Sequence, residues 1–379
     1  MHFKPQLFHV FLFLFLFSGC SLKQSSKTNN SDSGDAVKLS HATLFEIRHS
    51  GDYTIVSVLN PWKNGDVYDR YYLVKDPAVS VPADGYKIQI PIKSLMANSA
   101  THLGFLEALD ELDKVTGVCN ANFIYNPYIR NRVEEGKVKD LGDSFNLDVE
   151  QLMLLRPQAV MTTAYNADDE NSKKLRQTGL SIIYNIEWQE KTLLGRAEWV
   201  KFIGAFFDKG KEADSIFSAV EQQYMETKQK VDSVENKPSI LSGQEFRGSW
   251  SMPGGKSFNA RLYLDAGGDY YFKDDSTTGS ISTTIEEALV YFNNANVWIG
   301  AQANTLEELG KVNPQYKLFK AYRNGNVYNM NKRQHATGGS DYWESGVARP
   351  DLILIDIIKI LHPDILADYE FTYFRKLEE

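Results

Sequence analysis

The sequence predicts an α/β protein with two lobes joined by one long helix and a small β-rich extension before the first lobe. Residues 150–161 and 287–298 repeat one pattern, in which a short helix with a glutamate in its first turn leads into a Val-led apolar strand. The two glutamates, Glu150 and Glu287, lie 137 positions apart (287 − 150). From residue 93 onwards strands and helices alternate, which indicates parallel sheets covered by helices.

The first 20 residues indicate export. An apolar run at 7–17, preceded by Lys4, is too short for a membrane span of about 20 residues, so 1–19 is expected to be a signal peptide. Ser18-Gly19-Cys20 resembles a bacterial lipobox, which makes Cys20 the expected lipidation site, although Phe17 stands where Leu is usual. The alternative is an ordinary secretory signal with an incidental cysteine. Residues 20–40 are polar and are expected to form a lipidated, flexible tether.

Composition excludes several classes of protein. The formal charge is −8 and basic clusters are absent, which argues against nucleic-acid binding. With Cys20 lipidated, Cys119 has no partner, so neither a disulfide nor a thiolate metal site is expected. The histidines show no metal-ligand spacing, and we predict no metal site. Aromatic residues make up 12%, including 20 Tyr and 6 Trp, and composition does not separate core packing from ligand contact.

The chain divides at changes of pattern. Residues 41–92 form the β-rich extension, predicted as a small antiparallel sheet with strands at 54–59, 70–74 and 86–92 between turn formers. Residues 93–191 form the N-terminal lobe, with strands at 94–98, 115–118, 159–163 and 181–185 and a first helix at 99–109. The helix at 150 is capped by Asp148 or Asn146 and the one at 287 by Thr284.

Residues 192–235 are helical. One helix is expected at 192–207, and 211–234 is the expected interlobe helix, about 35 Å long. Residues 238–366 form the C-terminal lobe, with strands at 239–242, 296–299 and 326–329 and a helix at 262–266. Its last helix, around 352–361, is apolar nearly all round and is therefore expected to be buried. Residues 367–379 are expected to be a C-terminal tail.

From about residue 93 to 366 the chain resembles the substrate-binding proteins of ABC importers for ferric siderophores, haem and cobalamin. The resemblance is carried by the order and spacing of segments 94–109, 146–161, 253–258, 265–268, 287–298 and 349–352 with His362-Pro363. It implies a helical-backbone periplasmic binding protein, with two Rossmann-like lobes and ligand between them. The extension at 41–92 lies outside the resemblance, and we assign it no function from sequence.

The resemblance also implies that Glu150 and Glu287 form salt bridges with arginines of the membrane permease. Read from the residues alone, a carboxylate in a helix's first turn is favoured by the helix dipole by roughly 0.3–1 kcal/mol, whatever its function. Helix capping is therefore the alternative interpretation of both glutamates.

Ligand contacts are expected in loops at the carboxyl ends of strands. Aromatic faces stack on flat conjugated ligands, and arginine suits propionates or anionic chelates. The predicted ligand-binding residues are Tyr165, Trp188, Arg196, Trp250 and Trp343. Core packing is the alternative for each aromatic residue.

The sequence therefore predicts a non-catalytic binding lipoprotein, since it carries no nucleophile elbow, phosphate loop or paired histidines. The expected ligand is an iron chelate, either a ferric siderophore or haem, with cobalamin as the alternative; no resident cofactor or metal is expected. The expected partners are the ABC permease and the membrane that holds the lipid, and the protein is expected to be a periplasmic monomer. An enzyme on a similar scaffold and a receptor that presents ligand to a signalling partner are the other hypotheses.

Overall fold

The computed structural model describes residues 34–63, 65–177 and 179–379. The predicted signal peptide, Cys20 and most of the predicted tether lie outside the described residues. Residues Gly34–Glu379 form one compact unit, in which three main sheets follow one another along the chain.

The extension is a five-stranded sheet whose strands lie in sequence order. Its strands are β1 (Asp35–Ala36), β2 (Phe45–Ser50), β3 (Tyr53–Leu59), β4 (Val67–Val74) and β5 (Tyr86–Gln89). Two details differ from the sequence prediction. Strand β2 was not predicted, and β5 pairs with β4 in parallel, so the sheet is mixed and not antiparallel. The sheet also begins at residue 35, inside the segment predicted as tether.

The first lobe is built on a parallel sheet, as predicted, with strand order β12-β11-β6-β7-β8. Its strands are β6 (Leu95–Ala97), β7 (Val115–Val118), β8 (Lys139–Asp140), β11 (Ala159–Thr162) and β12 (Ser181–Tyr184), and β9 (Gly142–Asp143) with β10 (Asn146–Leu147) forms a small hairpin. Its helices are α1 (Ala100–Ala108), α2 (Pro127–Glu134), α3 (Val149–Leu155) and α4 (Glu170–Gln177). Asp148, not Asn146, caps α3 by accepting a hydrogen bond from the Gln151 N–H at 2.9 Å.

The helical segment differs from its prediction in two places, at Glu198 and at the end of the long helix. The helix expected at 192–207 is divided into α5 (Leu193–Ala197) and α6 (Trp199–Phe206). Between them, the buried Glu198 carboxylate accepts hydrogen bonds from the backbone N–H groups of Ser40, His41 and Ala42 at 2.7–3.1 Å. The long helix α7 (Gly210–Gln229) has 20 residues and is therefore about 30 Å long. It ends at Gln229 and not at Val234, so it is shorter than expected.

The second lobe has a sheet in the order β13-β17-β18-β19. Its strands are β13 (Ile240–Ser242), β17 (Val297–Ile299), β18 (Val327–Asn329) and β19 (Arg375–Lys376), and beside them β14 (Glu245–Phe246), β15 (Ser249–Pro253) and β16 (Ser280–Thr283) form a three-stranded antiparallel sheet. Its helices are α8 (Phe258–Asp265), α9 (Ile285–Phe292), α10 (Leu306–Val312), α11 (Lys320–Arg323), α12 (Ser345–Ala348) and α13 (Pro350–Leu361). Helix α13 is almost wholly buried, as its apolar sequence predicts.

The predicted C-terminal tail is instead part of this lobe. Strand β19 pairs antiparallel with β18. The buried Asp356 carboxylate in α13 accepts hydrogen bonds from the backbone N–H groups of Thr372, Tyr373 and Phe374 at 2.6–3.0 Å. The side chains of Tyr373 and Phe374 are buried as well. A single carboxylate in the core therefore fixes the end of the chain, which local sequence patterns do not reveal.

Candidate functional site

The first lobe carries a cavity of about 610 Å³ at the carboxyl edge of its parallel sheet. Its lining begins directly after the strands, with Asn98 after β6 and Thr163 after β11. The hairpin turn at Ser144 and Phe145 and the segment around Tyr165 complete the wall. Open α/β sheets bind ligands at this edge, and the volume falls within the usual range for small-molecule sites.

Three aromatic rings form a row, of which Phe145 and Tyr165 line this cavity and Trp188 lies next to Tyr165. Tyr165 lies between the other two, with ring centroids 5.1 Å from Phe145 and 5.6 Å from Trp188, at interplanar angles of 34° and 37°. The Tyr165 side chain is 55% exposed and that of Phe145 is also exposed. Two predicted ligand residues, Tyr165 and Trp188, are therefore neighbours, and Tyr165 is exposed at the cavity. Phe145 was missed from sequence, where it stands in a polar turn without any strand pattern.

Hydrogen bonds fix the polar side of the cavity. The Trp188 Nε1–H donates to Thr163 Oγ1 at 2.8 Å, which sets the orientation of the indole ring. The Asn98 amide donates to Thr162 Oγ1 at 2.9 Å and to the Ser144 carbonyl at 3.3 Å. The Asn98 Oδ1 atom is buried and has no protein partner. A ligand that offers a hydrogen-bond donor can satisfy it.

The second lobe has two cavities at the corresponding edge of its sheet, of about 240 and 420 Å³. Both are lined by Gly300 after β17, Met330 after β18 and the predicted ligand residue Trp343. Trp343 is 46% exposed and is supported by an edge-on contact with Tyr342 at 4.8 Å. The position of Trp343 thus agrees with a ligand role, whereas Met330 was not foreseen.

The carboxyl edges of the two sheets face one another. The Glu344 carboxylate of the second lobe accepts hydrogen bonds from the backbone N–H groups of Tyr125 and Asn126 in the first. The Thr337 hydroxyl donates to the Asn122 carbonyl. These residues belong to segments that follow β7 and β18, so each contact joins one carboxyl edge to the other. The cavity of each lobe therefore lies at the edge of the sheet that faces the other lobe.

Arg196 is not available to a ligand in this structure. It is buried, its guanidinium lies 3.5 Å from the buried Glu187 carboxylate, and it sits 4.8 Å from the ring centroid of Phe258 in the second lobe. Burial raises the pKa of Glu187, and the charge of Arg196 opposes that rise. The prediction of Arg196 as a ligand residue is therefore corrected: it forms a buried ion pair behind the cleft.

Trp250 is a core residue. Its side chain is wholly buried and its Nε1–H donates to the Ser242 carbonyl at 2.8 Å. The ring lies 5.5–5.8 Å from the rings of Trp298, Tyr316 and Phe319. The ring has no exposed surface that a ligand could contact, so the prediction of Trp250 as a ligand residue is corrected. The alternation of β15 places Trp250 inward and the exposed Ser251 outward.

The two predicted docking glutamates are both exposed in the first turns of their helices. They differ in their contacts. The Glu287 carboxylate accepts a hydrogen bond from the Thr284 N–H at 2.9 Å, while Thr284 Oγ1 accepts one from the Glu287 N–H at 3.3 Å, which completes a capping box. Glu150 makes no hydrogen bond or ion pair with the residues that the structure describes. Capping therefore accounts for the contacts of Glu287, and docking stays a prediction for both glutamates.

The acidic residues, histidines and cysteine of the described ranges do not form a metal site. Within the described ranges, no group of three or more His, Cys, Asp or Glu side chains is arranged to hold a metal ion. Cys119 is a buried free thiol, and burial raises its pKa to about 12. Its thiol is therefore held in the neutral form, which is a poor nucleophile.

A family model described as periplasmic binding protein matches residues 97–334. The chain belongs to this family. The family comprises the periplasmic solute-binding proteins of ABC transporters for iron, siderophores, haem and cobalamin. Such proteins are substrate-binding components without catalysis of their own. The resemblance drawn from the sequence is thus confirmed at the level of the family.

Individual relatives agree with this assignment. An uncharacterized lipoprotein of Methanocaldococcus jannaschii is 25% identical, with 95% of this chain and 92% of the relative aligned. The structure of Helicobacter pylori CeuE with Ni(II) bound has a TM-score of 0.58 at 16% identity, covering 75% of this chain and 88% of that one. A periplasmic haem-binding protein from Pseudomonas aeruginosa has a TM-score of 0.54 at 13% identity, covering 72% and 94%. The solved structures share the fold of this periplasmic binding protein.

The relatives differ in how much of this chain they match. The two solved structures leave about a quarter of it unmatched, whereas the archaeal lipoprotein aligns with 95% of it. The alignment with that lipoprotein therefore includes most of the N-terminal sheet.

Among the described residues, no helix is long and apolar enough to cross a membrane.

Proposed function

We propose that this periplasmic binding protein captures a metal chelate between its lobes and delivers it to an ABC permease, with a ferric siderophore as the first candidate cargo. The observation that carries the proposal is the row of Phe145, Tyr165 and Trp188 beside a cavity of about 610 Å³ at the cleft. Aromatic faces of this kind stack on the flat or conjugated groups of such chelates.

The charges around the cavities favour one kind of chelate. Among the described residues, no arginine lines any of the three cavities, and the first-lobe cavity has one lysine, Lys174, and one aspartate, Asp169. An anionic ligand would lose its hydration without gaining a guanidinium partner. The proposed cargo is therefore a chelate without free anionic groups. Cobalamin, whose periphery is made of amides, is the second candidate, and haem with its two propionates ranks below both.

Binding is tested by titration calorimetry of the purified protein with ferrichrome, ferric enterobactin, haem and cyanocobalamin. We expect submicromolar binding of ferrichrome or cyanocobalamin and weak binding of the two anionic chelates. Tyr165→Ala should weaken the binding up to about tenfold through lost stacking. Tyr271→Ala is the matched control, since Tyr271 is 56% exposed but does not line the three cavities. Tight binding of haem alone would contradict the inference that the cargo lacks free anionic groups. If none of the four compounds binds, the receptor hypothesis is favoured.

Docking to the permease is proposed through Glu150 and Glu287. The test uses Glu150→Gln with Glu287→Gln, because glutamine keeps the capping box at Thr284 and removes only the charge. We expect cargo uptake by cells to fall while cargo affinity stays unchanged, since charge pairs at an interface govern encounter and orientation. Glu226→Gln, an exposed charge on α7, is the control. Unchanged cargo uptake in the double variant would contradict the docking proposal.

Anchoring through a lipid on Cys20 is proposed on two grounds, the lipobox-like Ser18-Gly19-Cys20 and the lipoprotein relative. The proposed location is the periplasm, with the body tethered to a membrane. Cys20→Ser should release the protein from the membrane fraction of cells. Retention of that variant in the membrane fraction would rule out this anchor.

A further inference from the structure

The N-terminal sheet lies outside the family match at 97–334, yet it contacts one wall of the first-lobe cavity. This wall is residues 163–177, named here the wall segment, which contributes Tyr165, Asn166, Asp169, Lys174 and Leu175 to the cavity lining. The wall segment includes α4, eight residues with little apolar surface, of which Leu175 is buried. A helix this short is marginal without support from its neighbours.

Strand β4 supplies the first contact. The Tyr68 hydroxyl donates to the Asn166 carbonyl at 3.3 Å, next to Tyr165. The Tyr68 ring packs edge-on against Tyr184 at 5.0 Å and at a tilt of 56° against Trp62 at 5.5 Å. The hydroxyl that reaches the wall segment is thus held in place by two other rings.

The next residue along β4 supplies the second contact. The buried Asp69 carboxylate forms an ion pair with Arg176 at the end of α4 and accepts a hydrogen bond from the Tyr71 hydroxyl at 2.6 Å. The Arg176 guanidinium also lies 3.9 Å from the ring centroid of Tyr86 in β5 and donates to the Ile182 carbonyl at 3.0 Å. The far end of the wall segment is therefore fixed between the N-terminal sheet and β12.

We propose that the N-terminal sheet is a positioning element of the binding site, in which Tyr68 and Asp69 hold the wall segment and so set the position of Tyr165. The sheet touches the wall segment at both ends of the stretch that lines the cavity, whereas its apolar face packs elsewhere, with Phe45 5.0 Å from Trp199 and Tyr71 5.4 Å from Phe206. The Tyr68 contact to the wall segment is therefore separable from the contacts that build the core, whereas Asp69 is linked to the core through the Tyr71 hydroxyl.

The decisive experiment is hydrogen exchange, followed by mass spectrometry, of peptides that cover 163–177. Tyr68→Phe removes only the hydroxyl that reaches Asn166 and should speed exchange in this segment about fivefold, the factor that corresponds to one neutral hydrogen bond. Asp69→Asn should extend the faster exchange to the α4 end. Tyr72→Phe is the matched control, because the Tyr72 hydroxyl on the same strand donates to Asp84 within the N-terminal sheet, at 2.5 Å.

The outcomes separate positioning from general stability. Faster exchange confined to 163–177, with an unchanged melting temperature for Tyr68→Phe, supports the inference. Unchanged exchange in Tyr68→Phe, the same change in Tyr72→Phe, or a uniform change over the whole protein would overturn it. If Asp69→Asn fails to fold, Tyr68→Phe decides alone.

A second readout rests on the proposed function. With whichever probe of the panel binds, ferrichrome or cyanocobalamin, Tyr68→Phe should weaken affinity several-fold and Tyr72→Phe should leave it unchanged. Unchanged affinity in Tyr68→Phe would overturn the link to the site. If no probe binds the unmodified protein, the proposed cargo is wrong, and the exchange experiment still decides the role of the sheet.

Discussion

The Glu344 carboxylate of the second lobe accepts a hydrogen bond from the backbone N–H of Asn126 in the first lobe, at 2.9 Å. Asn126 is the N-cap of α2, so Glu344 places an acceptor at a helix N-terminus, where a negative charge is favoured. The lobes are thus joined by a direct polar contact in addition to α7. This contact is buried, and its strength depends on the protonation of one carboxyl group.

We predict that Glu344 makes stability depend on pH between about 5 and 7. Burial raises the pKa of Glu344 from 4.5 to about 7, with the carboxyl groups of Asp341 and Glu107 adding to the rise. The folded protein therefore holds this proton more tightly than the unfolded chain. The resulting contribution, on the order of 3 kcal/mol, is complete below the unfolded pKa and is lost as pH rises through the folded pKa.

Urea unfolding at a series of pH values measures this effect. Glu344→Gln should flatten the dependence of the unfolding free energy on pH in this window, whatever its effect on the absolute stability. Glu226→Gln should keep the slope of the unmodified protein. An unchanged slope in Glu344→Gln would assign the effect to other groups.

Gly104→Ala should destabilise the protein by about 1–3 kcal/mol through overpacking. A Cβ atom on Gly104, in α1, would lie 2.0 Å from the Glu344 carbonyl oxygen, so the lobes would have to separate. Gly210→Ala in α7 has open space around its Cβ and should instead stabilise by up to about 1 kcal/mol, as alanine does in helices. Thermal unfolding of the two variants gives the comparison, and equal shifts would exclude a tight interlobe contact at Gly104.

Trp250→Ala should lower the stability of the protein, whereas Trp343→Ala should lower its affinity for cargo. Loss of the buried Trp250 ring should cost about 3–5 kcal/mol of stability, since a cavity is left among Trp298, Tyr316 and Phe319. Trp343 is half-exposed at the cleft, so its removal should change stability by less than about 1 kcal/mol and weaken cargo binding instead. Chemical denaturation and calorimetric titration of both variants provide the test. Equal stability losses would place Trp343 in the core as well.

Arg196→Met should cost about 3–5 kcal/mol because it leaves the buried Glu187 carboxylate without its partner. The double variant Arg196→Met with Glu187→Leu removes both charges and should recover a substantial part of that loss. A double-mutant cycle on the unfolding free energies measures the coupling. Additive losses would show that the pair does not act as an ion pair.

Sequence patterns predicted four of the five strands in the parallel sheet of the first lobe, and the two-residue edge strand β8 was missed. The β-branched run at Val115–Val118 and the capped helices that begin after Asp148 and Thr284 depend on residues a few positions apart, so periodicity and capping rules find them. Tyr165, Trp188 and Trp343 were predicted by a similar local rule, as aromatic residues in loops that follow strands, and their role as ligand residues stays a prediction. The position of each in the structure agrees with a site at the cleft.

Tertiary structure decided what local patterns leave open. Trp250 and Trp343 are equally aromatic in sequence, but the rings packed around Trp250 come from Trp298, Tyr316 and Phe319, some 50 to 70 positions away. Arg196 is buried in an ion pair with Glu187. The predicted tail packs in the second lobe, where its backbone donates a hydrogen bond to Asp356. The sequence by itself determined the elements, because the interactions that form a helix or a strand are short-range. Which side chains reach the cleft depends on how distant elements pack, and only the folded structure decides that.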